Sequence, residues 1–563
     1  MKKLAAAVLT VIMLLTMSSC RNIELIGEII EVAGKLSSKE TTGADSPETE
    51  PSVIVTDTAV PETTAAPKPV ETTKAAETQK VPEKTTAQNN QPKPEALGEV
   101  TPLEVWVQKY SKQDWDGDKQ LIDACHDLII LGDDDAKKYT KLASAFDSLN
   151  KTVKSDIDKI TAGSGSASPV VNKVTYYVTR ADSRMVSILY HDNDGGTFPG
   201  YSYKSHNIDT QTGKTLALSD VFSDIKGLPD IITAKMKEKY GNTAAGYNNL
   251  QNTLKNNKAE DYNWTMSYQS VTIFFTASEL DTRPESVVGD ISIDIWFDEY
   301  PDAFNKSYTE SPNGGYVRSL PFHLGIALDI NTSDKKRDDI LIDYIKDDDG
   351  FFKSVGVRLN ADDAYSVEPL GHEVNPYLVY TGEKYFIYYE CLEESTGSVI
   401  TVVHEFADGK PMERGFLHGR GFMRRYTEET GVFYSTERYV FTDPSDTVMV
   451  RNLDLFGSYS VYSDYAVDSE GSPESLTGIY HAVFSGTPIK AKVPVTVTLS
   501  AENKEHFMPA GTVFYFISTD YSSYIEMKLE DGRLCKIAIE SVNPCMINGK
   551  SDYDTFEYEL NVG

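Results

Sequence analysis

One stretch of this chain carries alternating oxygen-bearing side chains: Asp329, Asn331 and Ser333, then Asp338 after Asp334-Lys-Lys-Arg. Oxygen ligands alternating on a tight loop suit a hard cation, and calcium is the ion implied. The loop glycine is missing and the last acid is displaced by one residue, so a hydrogen-bonded turn without metal is the preferred reading. Asp114, Asp116 and Asp118 are spaced similarly, but Cys125 stands at the twelfth position where a closing Glu is needed. Arg414, Arg420, Arg424 and Arg425, with His404 and His418 near them in sequence, form a cationic run in an acidic chain. Such a run can hold a carboxylate or phosphate. Ordinary strand salt bridges are the competing reading. Cys535 and Cys545 are close enough in sequence to close a small disulfide loop; Cys125 and Cys391 lie far from them.

Catalytic motifs are largely absent. The sequence has no HExxH, GxSxG elbow, Walker loop or GxGxxG, and no two of its nine histidines stand four residues apart. Its 33 tyrosines offer stacking platforms for sugars, although tyrosine is also a common strand former. A binding role without catalysis is therefore expected. No resident cofactor is expected beyond the calcium alternative at Asp329.

The N-terminus sets an address. Lys2 and Lys3 precede an apolar run of 14 residues, Leu4 to Met17, which suits a signal peptide and is too short to span a bilayer. Met17-Ser18-Ser19-Cys20 then resembles a bacterial lipobox, which implies a diacylglycerol thioether on Cys20 and residence at the outer face of a cell membrane. From Ser37 to about Gly98 the chain is Thr, Pro, Glu, Ala and Lys, a composition that cannot offset its ordering entropy and reads as a disordered tether. About 60 such residues reach roughly 45 Å as a flexible coil. Ile23, Ile26, Ile30 and Ala33 recur at helical spacing, either as a short membrane-lying helix or as a frayed spacer. The net charge of −31 disfavours nucleic acid as a partner and favours cationic ones.

The elements that would position these residues follow from periodicity. Residues 101–160 read as helical, with Leu121, Ala124, Cys125, Leu128 and Ile129 on one face and a second stretch at Ala136–Leu149. Val174–Thr179 and Arg184–Tyr190 read as strands, Ser219–Tyr240 as one helix, and Ser270–Thr276 and Asp290–Phe297 as strands. Between 319 and 480 strands succeed one another, with Asp349-Gly350 and Asp408-Gly409 as turns, at a spacing reminiscent of propeller blades. Residues 485–563 read as a small SH3-like barrel.

Thr179-Arg-Ala-Asp-Ser-Arg-Met-Val-Ser187, Gly195-Gly196 and NIDTQTGKTLALSDVF at 207–222, followed by SYQSVTIFFTASEL at 267–280 and DISIDIWFDEYPDAF at 290–304, carry a resemblance. They resemble the domain of unknown function at the extracellular end of lysozyme-sensing anti-sigma factors, also found beside some peptidoglycan deacetylases. The resemblance covers roughly residues 101–318. Family members often have a His after the paired glycines, where this chain has Thr197-Phe198. The resemblance implies a lysozyme-like protein or peptidoglycan as ligand.

The expected fold is therefore α+β with large β content: leader peptide 1–19, anchor and tether 20–100, a helical leader with an α+β domain at 101–318, a β-rich region at 319–484 and the small barrel at 485–563. The expected function is a non-catalytic surface lipoprotein for binding or sensing at the envelope. An accessory subunit of a wall-modifying enzyme, or a hydrolase or deacetylase with an unfamiliar site, are the alternatives.

Overall fold

Two strands open the fold where helices were expected. β1 (Val105–Asp116) and β2 (Lys119–Leu131) form an antiparallel hairpin, closed at Gly117 with φ +62°. The helical spacing of Leu121, Ala124, Cys125 and Leu128 misleads because consecutive residues Asp127, Leu128 and Ile129 are all buried, so the period of two is lost. The second expected helix is present. α1 (Asp133–Lys138) and α2 (Thr140–Ala162) follow, and α2 packs through Leu142, Phe146 and Ile157.

The computed structural model describes residues 98–117, 119–162, 170–193, 202–241, 249–276, 279–280, 291–330, 337–347, 350–360, 362–366, 371–393, 399–429 and 432–558. All belong to one compact unit that begins at Pro92. Cys20, the leader and almost all of the tether lie outside the described residues. Among the described residues no helix is long and apolar enough to cross a membrane.

β3 (Val170–Ala181) returns parallel to β2, and β4 (Met185–Asn193) and β5 (Ser202–Asp209) extend the sheet antiparallel. The expected helix at 219–240 is broken into α3 (Leu218–Val221) and α4 (Leu228–Tyr240). Asp224 Oδ1 accepts the N–H groups of Lys226 (3.1 Å) and Gly227 (3.2 Å), a local turn that competes with the helix. After α5 (Leu250–Asn256), β6 (Asn263–Met266), β7 (Ser270–Phe275) and β8 (Ile291–Trp296) make a three-stranded antiparallel sheet. Its core includes Trp264, Ile273 and Ile293 together with Ile232 and Met236 of α4.

A nine-stranded antiparallel sheet comes next. It contains β9 (Tyr316–Ser319), β10 (Ile326–Leu328), β11 (Asp338–Lys346), β12 (Phe352–Leu359), β13 (Asp362–Ser366), β14 (Gly371–Tyr380), β15 (Tyr385–Glu393), β16 (Val399–Ala407) and β17 (Lys410–His418). Asp408 and Gly409 both have positive φ, the two-residue turn that joins β16 to β17. The sheet is one open meander rather than four-stranded blades.

The chain then returns to the first sheet. β18 (Arg420–Phe422) precedes β19 (Arg424–Glu429) and β20 (Val432–Val440); β20 pairs with β1, giving the order β19-β20-β1-β2-β3-β4-β5. β21 (Thr447–Leu453) and β22 (Tyr459–Val467) continue through Tyr480–Ala482 into Val513–Thr519, Tyr524–Leu529 and Leu534–Ala538, all in one twelve-stranded sheet. Among the described residues no sheet closes into a barrel, and the strands at Val513–Thr519, Tyr524–Leu529 and Leu534–Ala538, expected to form one, are part of this open sheet. Val105, Ile129 and Phe146 share a core with Tyr377, Phe386 and Phe441, so the first sheet packs on the second.

Candidate functional site

Residues of the first two sheets line a cleft of about 560 Å³. Strand alternation puts Lys109, Ser111 and Gln113 of β1 on one face, and their register partners Asp127, Cys125 and Asp123 of β2 beside them. Lys173 stands next in the row, opposite Cys125 across the parallel β2–β3 pair. β14 supplies Glu373, Asn375 and Tyr377 from the other wall, and β20 supplies Arg438.

The deep end is a closed charge network. Glu373 accepts a hydrogen bond from Lys109 Nζ at 2.8 Å and lies 3.2 Å from Arg438 Nε and 3.6 Å from Arg424 Nη2. Arg424 also pairs with the fully buried Glu390 at 3.2 Å, and Phe422 N–H donates to the other Glu390 oxygen at 2.9 Å. Asn375 Nδ2 donates to both glutamates at 3.1 Å, and Arg438 Nη1 donates to Tyr377 Oη at 2.8 Å. Burial works against the Glu373 carboxylate, but Arg424, Lys109 and Arg438 together outweigh it and hold its pKa well below the usual range. Asp127 is the opposite case. Burial raises its pKa more than Arg438 and the Tyr176 N–H, 2.9 Å away, lower it.

The outer end is aromatic. Phe322, Tyr344 and Phe352 meet with ring centroids 4.9–5.8 Å apart, and His323 lies 4.8 Å from Tyr344. His323 has φ +61°, an uncommon conformation for a residue with a Cβ, and its Nδ1 is 3.1 Å from Asp343. Lys346 Nζ sits 4.4 Å from the Phe352 centroid and 5.3 Å from that of Tyr344. Lys173 pairs with Asp123 at 2.6 Å. The Cys125 thiol is raised by burial, which keeps it protonated and unreactive at neutral pH. Four cations line the cleft (Lys109, Lys173, Lys346, Arg438) against three carboxylates (Asp123, Asp127, Glu373).

The four arginines singled out by sequence do not share one surface. Arg424 is buried in the network above. Arg414 pairs with Glu405 and, at 3.3 Å, with Glu470. Arg425 pairs with Glu437 at 2.8 Å and stacks 4.2 Å over Trp106. Arg420 is on β18, in register with Arg451 of β21. His404 is buried, hydrogen-bonded to Tyr389, and pushed down to about 4 by burial, so it is neutral; His418 stacks on Phe416.

At the proposed calcium loop, Asp329 is 3.1 Å from Arg337 Nη1, and Asp338 accepts from Ile330 N–H (3.3 Å) and Asn360 Nδ2 (2.8 Å). Asn331 and Ser333 lie outside the described residues. Among the described residues no three His, Cys, Asp or Glu side chains gather as a metal site. Cys535 and Cys545 are both buried in the C-terminal core and unbridged: Cys535 is on a strand of the large sheet, Cys545 in a separate three-stranded ribbon.

The Thr179–Ser187 segment is occupied structurally. Arg180 and Asp182 are fully buried, and Arg180 donates to the carbonyls of Tyr308 (2.5 Å) and Glu310 (3.0 Å). In the Asp209–Lys214 turn Asp209 Oδ1 accepts from Thr212 N–H and Oγ1, each at 2.7 Å, and Tyr308 Oη donates to Oδ2 at 3.1 Å.

Two solved structures are similar to part of this chain. One is a crystal structure of a member of the DUF3298 family from Bacteroides fragilis, 13% identical over 36% of this chain and 94% of that one, with a TM-score of 0.27. The other is a DUF3298 family protein from Pseudomonas aeruginosa, 12% identical over 37% of this chain and 97% of that one, also at 0.27. No protein-family profile and no curated protein matches the chain.

Sequence reasoning missed the cleft, whose residues span positions 109 to 438 without a local motif. A signal was nevertheless present: single charged residues inside otherwise apolar strands, as with Asp127 before Leu-Ile-Ile-Leu, Glu390 in Tyr-Tyr-Glu-Cys and Arg438 before Tyr-Val-Phe. Such residues require buried partners.

Proposed function

We propose that this chain is a non-catalytic binding or sensing protein of the bacterial envelope, held at the outer face of the cell membrane through lipidated Cys20, with a peptidoglycan fragment as the ligand of its cleft. The observation that carries this reading is a cleft with more cations than carboxylates and with aromatic rings at its outer end, in a chain of net charge −31. A space of about 560 Å³ suits a ligand of one or two sugar rings. Aromatic faces take the apolar faces of sugars, and the salt-bridged wall behind them is rigid because its charges satisfy one another. Cys20, the leader and the resemblance to anti-sigma factor ectodomains support the location.

A second reading, capture of a cationic lysozyme-like protein, is favoured by a separate acidic recess of about 320 Å³ where Glu104, Asp135, Asp443, Asp446 and Asp464 gather. The full chain, purified in detergent, would be titrated calorimetrically with peptidoglycan fragments and with lysozyme at low and high salt. Saturable fragment binding that survives high salt supports the cleft reading. Salt-sensitive lysozyme binding without fragment binding replaces it with the second. Turnover of peptidoglycan by the chain alone overturns the non-catalytic assignment.

A further inference from the structure

Lys346 is an exposed lysine at the rim of the cleft. A register irregularity between Ile345 and Lys346 of β11 places it opposite Phe352 of β12. Its ammonium lies over the Phe352 and Tyr344 rings, and among the described residues no carboxylate offsets its charge. The other three cleft cations are all engaged: Lys173 with Asp123, Lys109 and Arg438 with Glu373. Desolvation lowers the Lys346 pKa, and repulsion from Lys173 adds to this. The attraction of an anion seated beside Lys346 would offset both effects. The rings of Phe322, Tyr344 and Phe352 next to it would pack against the body that carries the anion.

Building on the peptidoglycan reading above, we propose that Lys346 is the subsite for a ligand carboxylate, with the ligand's ring packed on the neighbouring aromatic cluster. A wall fragment offers one of two carboxylate sources: the lactyl group of muramic acid where the stem peptide has been removed, or the acids of the stem peptide where it remains. Their shared chemistry is a carboxylate, carried on a sugar ring in one case and on an extended peptide in the other, and Lys346 can donate a charge-assisted hydrogen bond to either.

The test uses the full chain in detergent with three probes: the disaccharide N-acetylglucosaminyl-N-acetylmuramic acid, its methyl ester, and the free stem tetrapeptide. The proposal expects one carboxylate probe to bind and Lys346→Gln to weaken it about ten-fold or more. Lys346→Arg, which keeps the charge, should retain most of the affinity. If the sugar supplies the anion, the ester binds the wild type as weakly as the disaccharide binds Lys346→Gln, and the ester's own affinity does not change with the variant. If the peptide supplies it, the tetrapeptide shows the Lys346 dependence and competes with the whole fragment. Fragments that bind the wild type and Lys346→Gln equally overturn the subsite and leave the cleft reading standing. Failure of all three probes and of whole fragments to bind the wild type overturns the cleft reading and the subsite together. Unchanged circular dichroism and thermal midpoint in Lys346→Gln separate lost binding from lost folding.

Discussion

Arg180 and Asp182 form an ion pair with no solvent exposure on either side chain, Nε to Oδ2 at 2.7 Å. Asp182 Oδ1 also accepts the N–H groups of Arg184 (2.8 Å) and Met185 (3.1 Å), closing the turn between β3 and β4. The guanidinium stacks 5.0 Å from the Tyr268 ring while its other nitrogens hold the 308–310 loop. The pair thus ties a hairpin to a distant loop. Because charges taken fully out of water need their partners, Arg180→Met is expected to cost about 3–5 kcal/mol of stability. Denaturant unfolding measures it. A loss below about 1 kcal/mol would show that the pair is dispensable.

Gly213 and Gly117 make a matched pair for separating conformational strain from contact. Both have positive φ, +65° and +62°. A Cβ on Gly213 would stand 2.3 Å from the Lys141 carbonyl oxygen in α2, whereas one on Gly117 meets nothing within 4 Å. Gly117→Ala should cost about 1–2 kcal/mol from its left-handed backbone alone. Gly213→Ala should add about 1–3 kcal/mol for the forced shift of α2. Equal losses in thermal unfolding would mean that the turn does not bear on the helix.

That contact explains part of what sequence could and could not reveal. The second helical stretch, now in α2, was legible because Leu142 and Phe146 face one core. The β1–β2 hairpin was not, since both faces of β2 are covered near Asp127 and its apolar residues lose their alternation. The open sheet of β9 to β17 was readable as strands but not as one sheet, because pairing depends on distant partners such as Tyr377 of β14 with Ser319 of β9. The cleft was least legible of all. Lys109, Glu373 and Arg438 meet only after β20 has come back to pair with β1.

The arginine run offers a test of burial against position in sequence. Arg424 is 3% exposed and faces Glu390 at 0%, whereas the Arg414 side chain is 47% exposed. Arg424→Ala should destabilise by about 3–5 kcal/mol, since it leaves a buried carboxylate without its cation. Arg414→Ala should cost less than about 1 kcal/mol, the usual worth of an exposed pair. Arg425→Ala should lose about 0.5–1 kcal/mol with its stack on Trp106. Neither Arg414→Ala nor Arg425→Ala should change fragment binding. Reduced binding in either, with unfolding unchanged, would restore the arginine run as a ligand surface.

The two acids at the deep end of the cleft should shape stability against pH in opposite directions. Glu373 has a depressed pKa, so its contribution is present above the unfolded value of about 4.3 and is lost as pH falls toward the folded one. Asp127 has a raised pKa, so its favourable contribution is complete below about 3.9 and disappears as pH rises through the raised value. Above that value the native state carries a desolvated charge. Glu373→Gln should therefore lower stability most at neutral pH, where Lys109, Arg424 and Arg438 lose their shared anion, and should flatten the acid limb. Asp127→Asn keeps an oxygen for the Tyr176 N–H and removes the buried charge. It should be at least as stable as wild type at about pH 7, with any gain vanishing in acid below about pH 4. Denaturant midpoints of the three proteins across that range decide the matter. An Asp127→Asn protein less stable at neutral pH than in acid, relative to wild type, would show that the carboxylate is held ionised by Arg438 after all.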